Sequence, residues 1–128
     1  MERATFNSWK NLHPLPKQYK SLELDMRWNE DDFEYLTLGW VPRNRHDKWF
    51  LMYDDRFYIF RARSGYCVFE ILMDHDDEGH SIREVRLNDD PHQCQFQDEQ
   101  VALQMLRQIF RTTLKLRLAL PHPEHAQA

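Results

Sequence analysis

Three apolar segments, each with the period of a β-strand, follow one another closely and constrain the fold more than any other feature of the sequence. They span residues 48–53, 56–63 and 66–73. The breaks between them, Asp54-Asp55 and Ser64-Gly65, are only two residues long, and breaks this short favour tight antiparallel hairpins. This part of the chain therefore predicts an antiparallel β-meander.

Two further segments extend the predicted sheet. Residues 81–88 follow an acidic turn at 74–80 and are predicted as the next strand, and residues 33–41, which precede the meander, are also predicted as a strand. The first 20 residues, which include two prolines, are expected to be irregular. We expect about four to six strands within a single domain, because a chain of 128 residues has the usual size of one.

A long amphipathic helix is predicted over residues 98–120. Asp98 is a suitable N-cap, and Pro121 ends the helix, so the tail at 121–128 is expected to fray. The chain is therefore predicted to be α+β, with the meander packed against one C-terminal helix.

The apolar positions of this helix cover an arc of about 200°, which is wider than one face of a sheet normally covers. The extra flank and the basic face of the helix are two candidate binding surfaces. The flank holds Met105, Ile109 and Leu116, and the basic face holds Arg107, Arg111 and Lys115. Either the N-terminal segment wraps the flank, or the flank meets another chain, which makes a homodimer one of the expected outcomes.

Composition and charge exclude several classes of partner. The formal net charge is -4, which argues against general binding to nucleic acid or to an anionic membrane. No segment approaches the length of apolar chain that a membrane span needs, and no leader pattern begins the sequence, so we expect a cytoplasmic protein.

The acidic turn at 74–80 resembles a calcium loop in part. It has acids at positions 1, 3 and 5 and a glycine at position 6, but Val85 stands at position 12 in place of the bidentate glutamate. We therefore predict a solvated turn without a tight divalent-metal site. His75 and His80, with Asp74 and Asp76, form the one local histidine cluster in the sequence.

The sequence assigns no catalytic, cofactor-binding or metal-binding residue. It contains no H-E-x-x-H, G-x-S-x-G, P-loop or G-x-G-x-x-G motif. Cys67 and Cys94 have no zinc-ligand spacing and are expected to be free thiols. We expect no cofactor, and an enzyme is the less favoured class.

A cluster of tryptophan and arginine supplies the best candidate for partner binding. It comprises Trp40, Arg43 and Arg45 before the first hairpin and Arg61 and Arg63 at its end. These residue types anchor protein interfaces because they bury much area at a low entropy cost. The alternative is that Trp40 and Trp49 belong to the core and that the cations only solvate the edge of the sheet.

Residues 47–53 (DKWFLMY), 57–61 (FYIFR) and 64–69 (SGYCVF) together resemble a motif of small uncharacterised bacterial proteins. In that family a DKWF-type strand is followed by a strand ending in Arg-Ser-Trp-Thr-Gly and by a third strand. This chain has Arg-Ala-Arg-Ser-Gly at 61–65 and lacks the tryptophan. The resemblance implies the meander and a bacterial, cytoplasmic setting, and it transfers no catalytic residue.

The favoured function is a small protein-binding module: an adaptor, an inhibitor or an immunity-type protein. The alternatives are a small enzyme or ligand-binding domain that uses Arg61, Arg63 and a histidine on an anionic substrate, and a homodimeric structural domain. The candidate partner-binding residues of the module are those of the tryptophan–arginine cluster and of the helix, whereas the homodimer would be joined by the flank of the helix.

Overall fold

The fold is seen in a computed structural model that describes residues 3–96 and 98–120. It contains the predicted α+β arrangement, with six strands in one sheet and a long C-terminal helix. In chain order the elements are β1 (Tyr19–Leu22), β2 (Arg27–Trp28), α1 (Glu30–Thr37), β3 (Trp49–Tyr53), β4 (Phe57–Arg61), β5 (Cys67–Asp76), β6 (Gly79–Asn88) and α2 (Glu99–Ala119).

The sheet is antiparallel throughout, with the strand order β1-β6-β5-β4-β3, and β2 also pairs with β6. The strands β3 to β6 form the predicted meander. The turn between β3 and β4 is tight because Asp55 adopts a φ of 66°, which aspartate tolerates better than most residues. The outer edge of β3 is paired at its middle residue, where Leu51 exchanges two backbone hydrogen bonds with Trp40.

The strand predicted over residues 33–41 is wrong, because residues 30–37 form the helix α1. Asn29 caps this helix by accepting a hydrogen bond from the backbone N–H of Asp32 at 2.8 Å. Phe33, Leu36 and Thr37 are then buried on one helical face. The cap and the three acids of the first turn, which suit the positive end of a helix, outweigh the strand propensity of the aromatic residues.

The acidic turn is shorter than the sequence predicted. The strands β5 and β6 continue into it, so that only Asp77 and Glu78 connect them. Cross-strand pairing sets His75 opposite His80 and Asp76 opposite Gly79. The hairpin therefore carries both histidines on regular strand backbone.

The two faces of the sheet are covered by different parts of the chain. On one face α1 and α2 pack on the larger core, in which Phe57, Ile71 and Phe110 are fully buried. On the other face the segment before β1 packs on Phe50 and Phe60 through a smaller cluster. The described part of the N-terminal segment, from residue 3 onwards, therefore covers the sheet and does not line the flank of α2.

The predicted C-terminal helix is confirmed, with ends that agree within one residue. Asp98 is the N-cap, and its side chain accepts a hydrogen bond from the N–H of Val101 at 2.8 Å. The predicted frayed tail at 121–128 lies outside the described residues. Neither helix combines the length and the apolar character that crossing a membrane requires.

Candidate functional site

Five cations from two loops line one groove of about 870 Å³. Arg43, Arg45 and Lys48 come from the connection between α1 and β3. Arg61 ends β4, and Arg63 comes from the turn between β4 and β5. We call this site the basic groove. The structure thus brings together all four arginines that the sequence selected near the hairpin.

The first loop is held in shape by Asp47. Its carboxylate accepts hydrogen bonds from the backbone N–H of Arg43 at 2.8 Å and from Nε1 of Trp40 at 3.4 Å. Asn44 adds a local turn, because its side-chain oxygen accepts from the N–H of His46 at 2.8 Å. These contacts fix the backbone from which the arginines project.

The second loop is fixed by close contact with the N-terminal segment. Gly65 has a φ of 78°, and a Cβ at this position would lie 1.9 Å from the carbonyl oxygen of Asn11. The indole N–H of Trp9 donates to the carbonyl of Ala62 at 2.8 Å, and the N–H of Ala62 donates to the carbonyl of Lys48 at 2.9 Å. The last bond joins the two loops, so both sides of the basic groove belong to one framework.

The electrostatic character of the basic groove follows from its lining. Within residues 3–96 and 98–120, no carboxylate forms an ion pair with any of the five cations. Among the described residues, Asp47 is the one acid that lines the groove. The guanidinium of Arg61 instead lies 5.0 Å from the ring centre of Trp49, in cation–π geometry. The groove can accept carboxylate or phosphate groups, which arginine binds well.

A second groove, of about 280 Å³, lies next to the first. Trp40, Trp49 and Leu51 line it from the sheet, whereas Met105 and Leu116 line it from α2. We call this the apolar groove. Asp47 and Lys48 line both grooves, so the two form one continuous surface.

The structure separates the other candidates into three groups. Trp40 is only 8% exposed and Ile109 is buried, so both contribute to the core and only edge the apolar groove. Leu116 is 38% exposed and is accessible from that groove. The basic face of Arg107, Arg111 and Lys115 lines neither groove, and no ion pair to these three cations exists within the described part of the chain.

Arg117 has a role that the sequence analysis missed. It is 4% exposed and donates from Nε to the carbonyl of Gly39 at 2.7 Å and from a terminal nitrogen to the carbonyl of Leu38 at 3.2 Å. Burial, and then the charge of Arg43, lowers the pKa of Arg117. The helical spacing placed this residue near the end of α2, but only the tertiary structure shows that it binds the carbonyls that follow α1.

Both cysteines are free thiols, as the sequence predicted, and both are buried. Burial raises the pKa of Cys67 and of Cys94, so both stay protonated at neutral pH. Neither is suited to act as a nucleophile.

A group of possible metal ligands exists elsewhere, at Glu30, His75 and His80.

Comparison of the chain with protein-family models, with curated proteins and with solved structures gives no match. The resemblance of residues 47–69 to a bacterial family therefore stays a prediction.

Proposed function

We propose that the chain is a small protein-binding module, of the adaptor, inhibitor or immunity type, which holds an acidic segment of a partner protein in the basic groove. The observation that carries the proposal is the convergence of five cations, none of them ion-paired to a carboxylate within the described residues. Like charges placed this close repel one another. A partner that supplies carboxylates removes this repulsion and gains charge-assisted hydrogen bonds.

The apolar groove supports a protein as the partner. Stable interfaces have an apolar centre surrounded by polar and charged residues, and tryptophan and arginine contribute most of their binding energy. Here Trp49 and Leu116 line an apolar depression directly beside the cations. The combined surface fits a partner segment in which carboxylates are followed by apolar side chains.

The charge of the whole chain favours a short acidic segment over a long polyanion. The net charge of -4 repels an extended phosphate backbone, whose affinity depends on many cation contacts at once. A partner segment that reaches only the basic groove avoids most of this repulsion, because charges farther away than about 10 Å are largely screened at ordinary salt.

A small anionic ligand is the second candidate, and the size of the basic groove favours it. Its volume of about 870 Å³ is within the range of small-molecule sites. Catalysis is less well supported, since no histidine is among the described residues that line this groove, and His46 lines the apolar groove instead.

The test uses fluorescence anisotropy of labelled model peptides with the full chain. The probe is a peptide of alternating Glu and Leu, and the comparison probes are the matching Lys-Leu peptide and a single-stranded oligonucleotide. The variant R45Q/R63Q removes two cations from the groove. The control K17Q/R83Q removes two exposed cations that line neither groove.

We expect the wild-type chain to bind the acidic peptide, R45Q/R63Q to bind it at least about tenfold more weakly and the control to bind within about twofold of wild type. The proposal is contradicted if R45Q/R63Q and the control lose equal affinity for the acidic peptide. It is also contradicted if the oligonucleotide binds more strongly than the acidic peptide. Displacement of the peptide by citrate, together with unchanged affinity when the leucines of the probe are replaced by serine, favours the small-ligand alternative.

A further inference from the structure

Glu30, His75 and His80 lie together although they are far apart in the sequence. His75 Nε2 is 2.5 Å from one carboxylate oxygen of Glu30, and His80 Nε2 is 3.0 Å from the other. One ligand atom from each residue can be chosen so that all three lie within 4.8 Å of one another. Both imidazoles therefore direct the same nitrogen at one carboxylate.

Against the expectation from the sequence that residues 74–80 hold no tight divalent-metal site, we propose that Glu30, His75 and His80 form a binding site for a divalent transition metal, with Zn²⁺ as the favoured ion. Two imidazole nitrogens and one carboxylate oxygen are a ligand set that zinc accepts, with a fourth position left for water. Nitrogen donors disfavour calcium and magnesium, which prefer oxygen ligands.

The two histidines are placed for this role by the β5–β6 hairpin. They face each other as a cross-strand pair, which sets their side chains on the same face of the sheet. Their rings stack with centres 4.1 Å apart and nearly parallel planes, and the ring of His80 in turn stacks on Phe33 at 3.6 Å. His80 is 13% exposed at its side chain, so this packing holds one ligand firmly.

The remaining two ligands have room to adjust. The side chains of His75 and Glu30 are 60% and 65% exposed. Ligands at zinc bond lengths in a tetrahedral site lie roughly 3.3 Å apart. One ligand atom from each of the three residues already lies within 4.8 Å of the other two, so each pair has to move by at most about 1.5 Å to reach this value.

Two acids of the hairpin, Asp74 and Asp76, are already paired with arginines. Both carboxylate oxygens of Asp76 accept hydrogen bonds from Arg27, at 2.8 and 3.0 Å. Asp74 lies 3.8 Å from Arg83. Two of the three acids that a calcium loop would use, Asp74 and Asp76, are thus paired with arginines, whereas Glu30 is the carboxylate that contacts both histidines.

The metal site is separate from the basic groove. Arg63 lies in the turn that connects β4 to the first residue of β5. His75 lies at the ninth position of β5. At about 3.3 Å per residue the two sites are roughly 25 Å apart. Binding of zinc and binding of an acidic peptide are therefore distinguishable, and failure of one leaves the other standing.

The test is isothermal calorimetry of the full chain with zinc chloride, together with the absorption spectrum of the Co²⁺ form. Two variants remove one ligand each, E30Q and H75Q. Two controls keep the ligands: H92Q changes an exposed histidine outside the group, and H122Q/H125Q removes the histidines of the C-terminal tail.

We expect one zinc ion per chain and visible Co²⁺ bands typical of tetrahedral ligands. In E30Q and in H75Q we expect affinity to fall by about tenfold or more, whereas both controls keep it. Calcium should show no saturable binding up to about 1 mM. The proposal fails if no saturable zinc binding occurs up to about 1 mM, or if H122Q/H125Q loses binding while E30Q and H75Q retain it.

Discussion

The guanidinium of Arg117 donates a hydrogen bond to the carbonyl oxygen of Gly39, 78 residues away in the sequence, at 2.7 Å. The same side chain lies with its central carbon 5.5 Å from the ring centre of Trp40. It therefore ties the end of α2 to the residues that lead into the loop of the basic groove. Because carbonyls at the end of a helix carry partial negative charge, a buried cation there is favourable.

Replacing Arg117 by Ala should lower the free energy of unfolding by about 2–4 kcal/mol, since the Gly39 carbonyl loses its charged donor and the alkyl chain loses its packing. Urea denaturation measures this loss. Arg111, an exposed arginine on the same helix, is the matched control, and R111A should change stability by less than about 0.5 kcal/mol. Equal effects in the two variants would show that the Arg117 contacts are not stabilising.

The buried thiol of Cys67 should make stability fall at alkaline pH. Its pKa is raised above the ordinary value of 9.0 by burial, so the unfolded chain loses this proton at a lower pH than the folded one. The stability that the protonated Cys67 thiol contributes is complete below pH 9.0. It is lost as the pH rises towards the pKa of the thiol in the folded chain. Tyr53 and Tyr58, whose pKa values burial also raises, act in the same direction.

The measurement for Cys67 compares urea midpoints of the wild type and of C67A between about pH 8 and pH 10.5, a range that spans the ordinary thiol pKa. C67A should be less stable throughout, yet should lose less stability as the pH rises. In the folded wild type neither cysteine should react with a thiol reagent at neutral pH, and both should react in urea. If the urea midpoint fell equally steeply with pH in the wild type and in C67A, the role of this thiol would be contradicted.

Leu116→Glu tests whether the flank of α2 is an interface or part of the core. The side chain is 38% exposed and lines the apolar groove, so we expect a loss of acidic-peptide binding with less than about 1 kcal/mol lost in stability. Leu118, which is 53% exposed and lines neither groove, gives the matched control L118E.

Mass in solution, measured on the same two variants, separates the alternatives for this flank. A dimer in the wild type that L116E converts to a stable monomer would show that a second copy occupies the apolar groove. A lower melting temperature with unchanged mass and unchanged peptide binding would show that Leu116 acts as a core residue, and the flank would then not be an interface.

The meander and its basic groove could be predicted because both depend on local features. Short breaks fix the hairpin, and the hairpin register sets Trp49 opposite Arg61, which brings the residues before β3 beside those after β4. Aromatic residues at 33–41 suggested a strand. The Asn29 cap and the burial of one helical face instead stabilise the helix α1.

That error had a consequence for the sites. Glu30 is the first residue of α1, and its approach to His75 and His80 depends on how the helix packs on the sheet. The contacts of Arg117 likewise join segments that no local pattern connects. Residues that meet only through tertiary packing carry no signature in a single sequence.

The pairing of Trp40 with Leu51 limits how another chain can approach the sheet. Edge strands with free backbone groups invite strand addition and aggregation. Here the middle residue of the edge strand β3 already uses its N–H and C=O on Trp40, at 3.0 and 2.8 Å. A visiting peptide therefore finds no template for extending the sheet at this point, and recognition at this edge has to proceed through side chains.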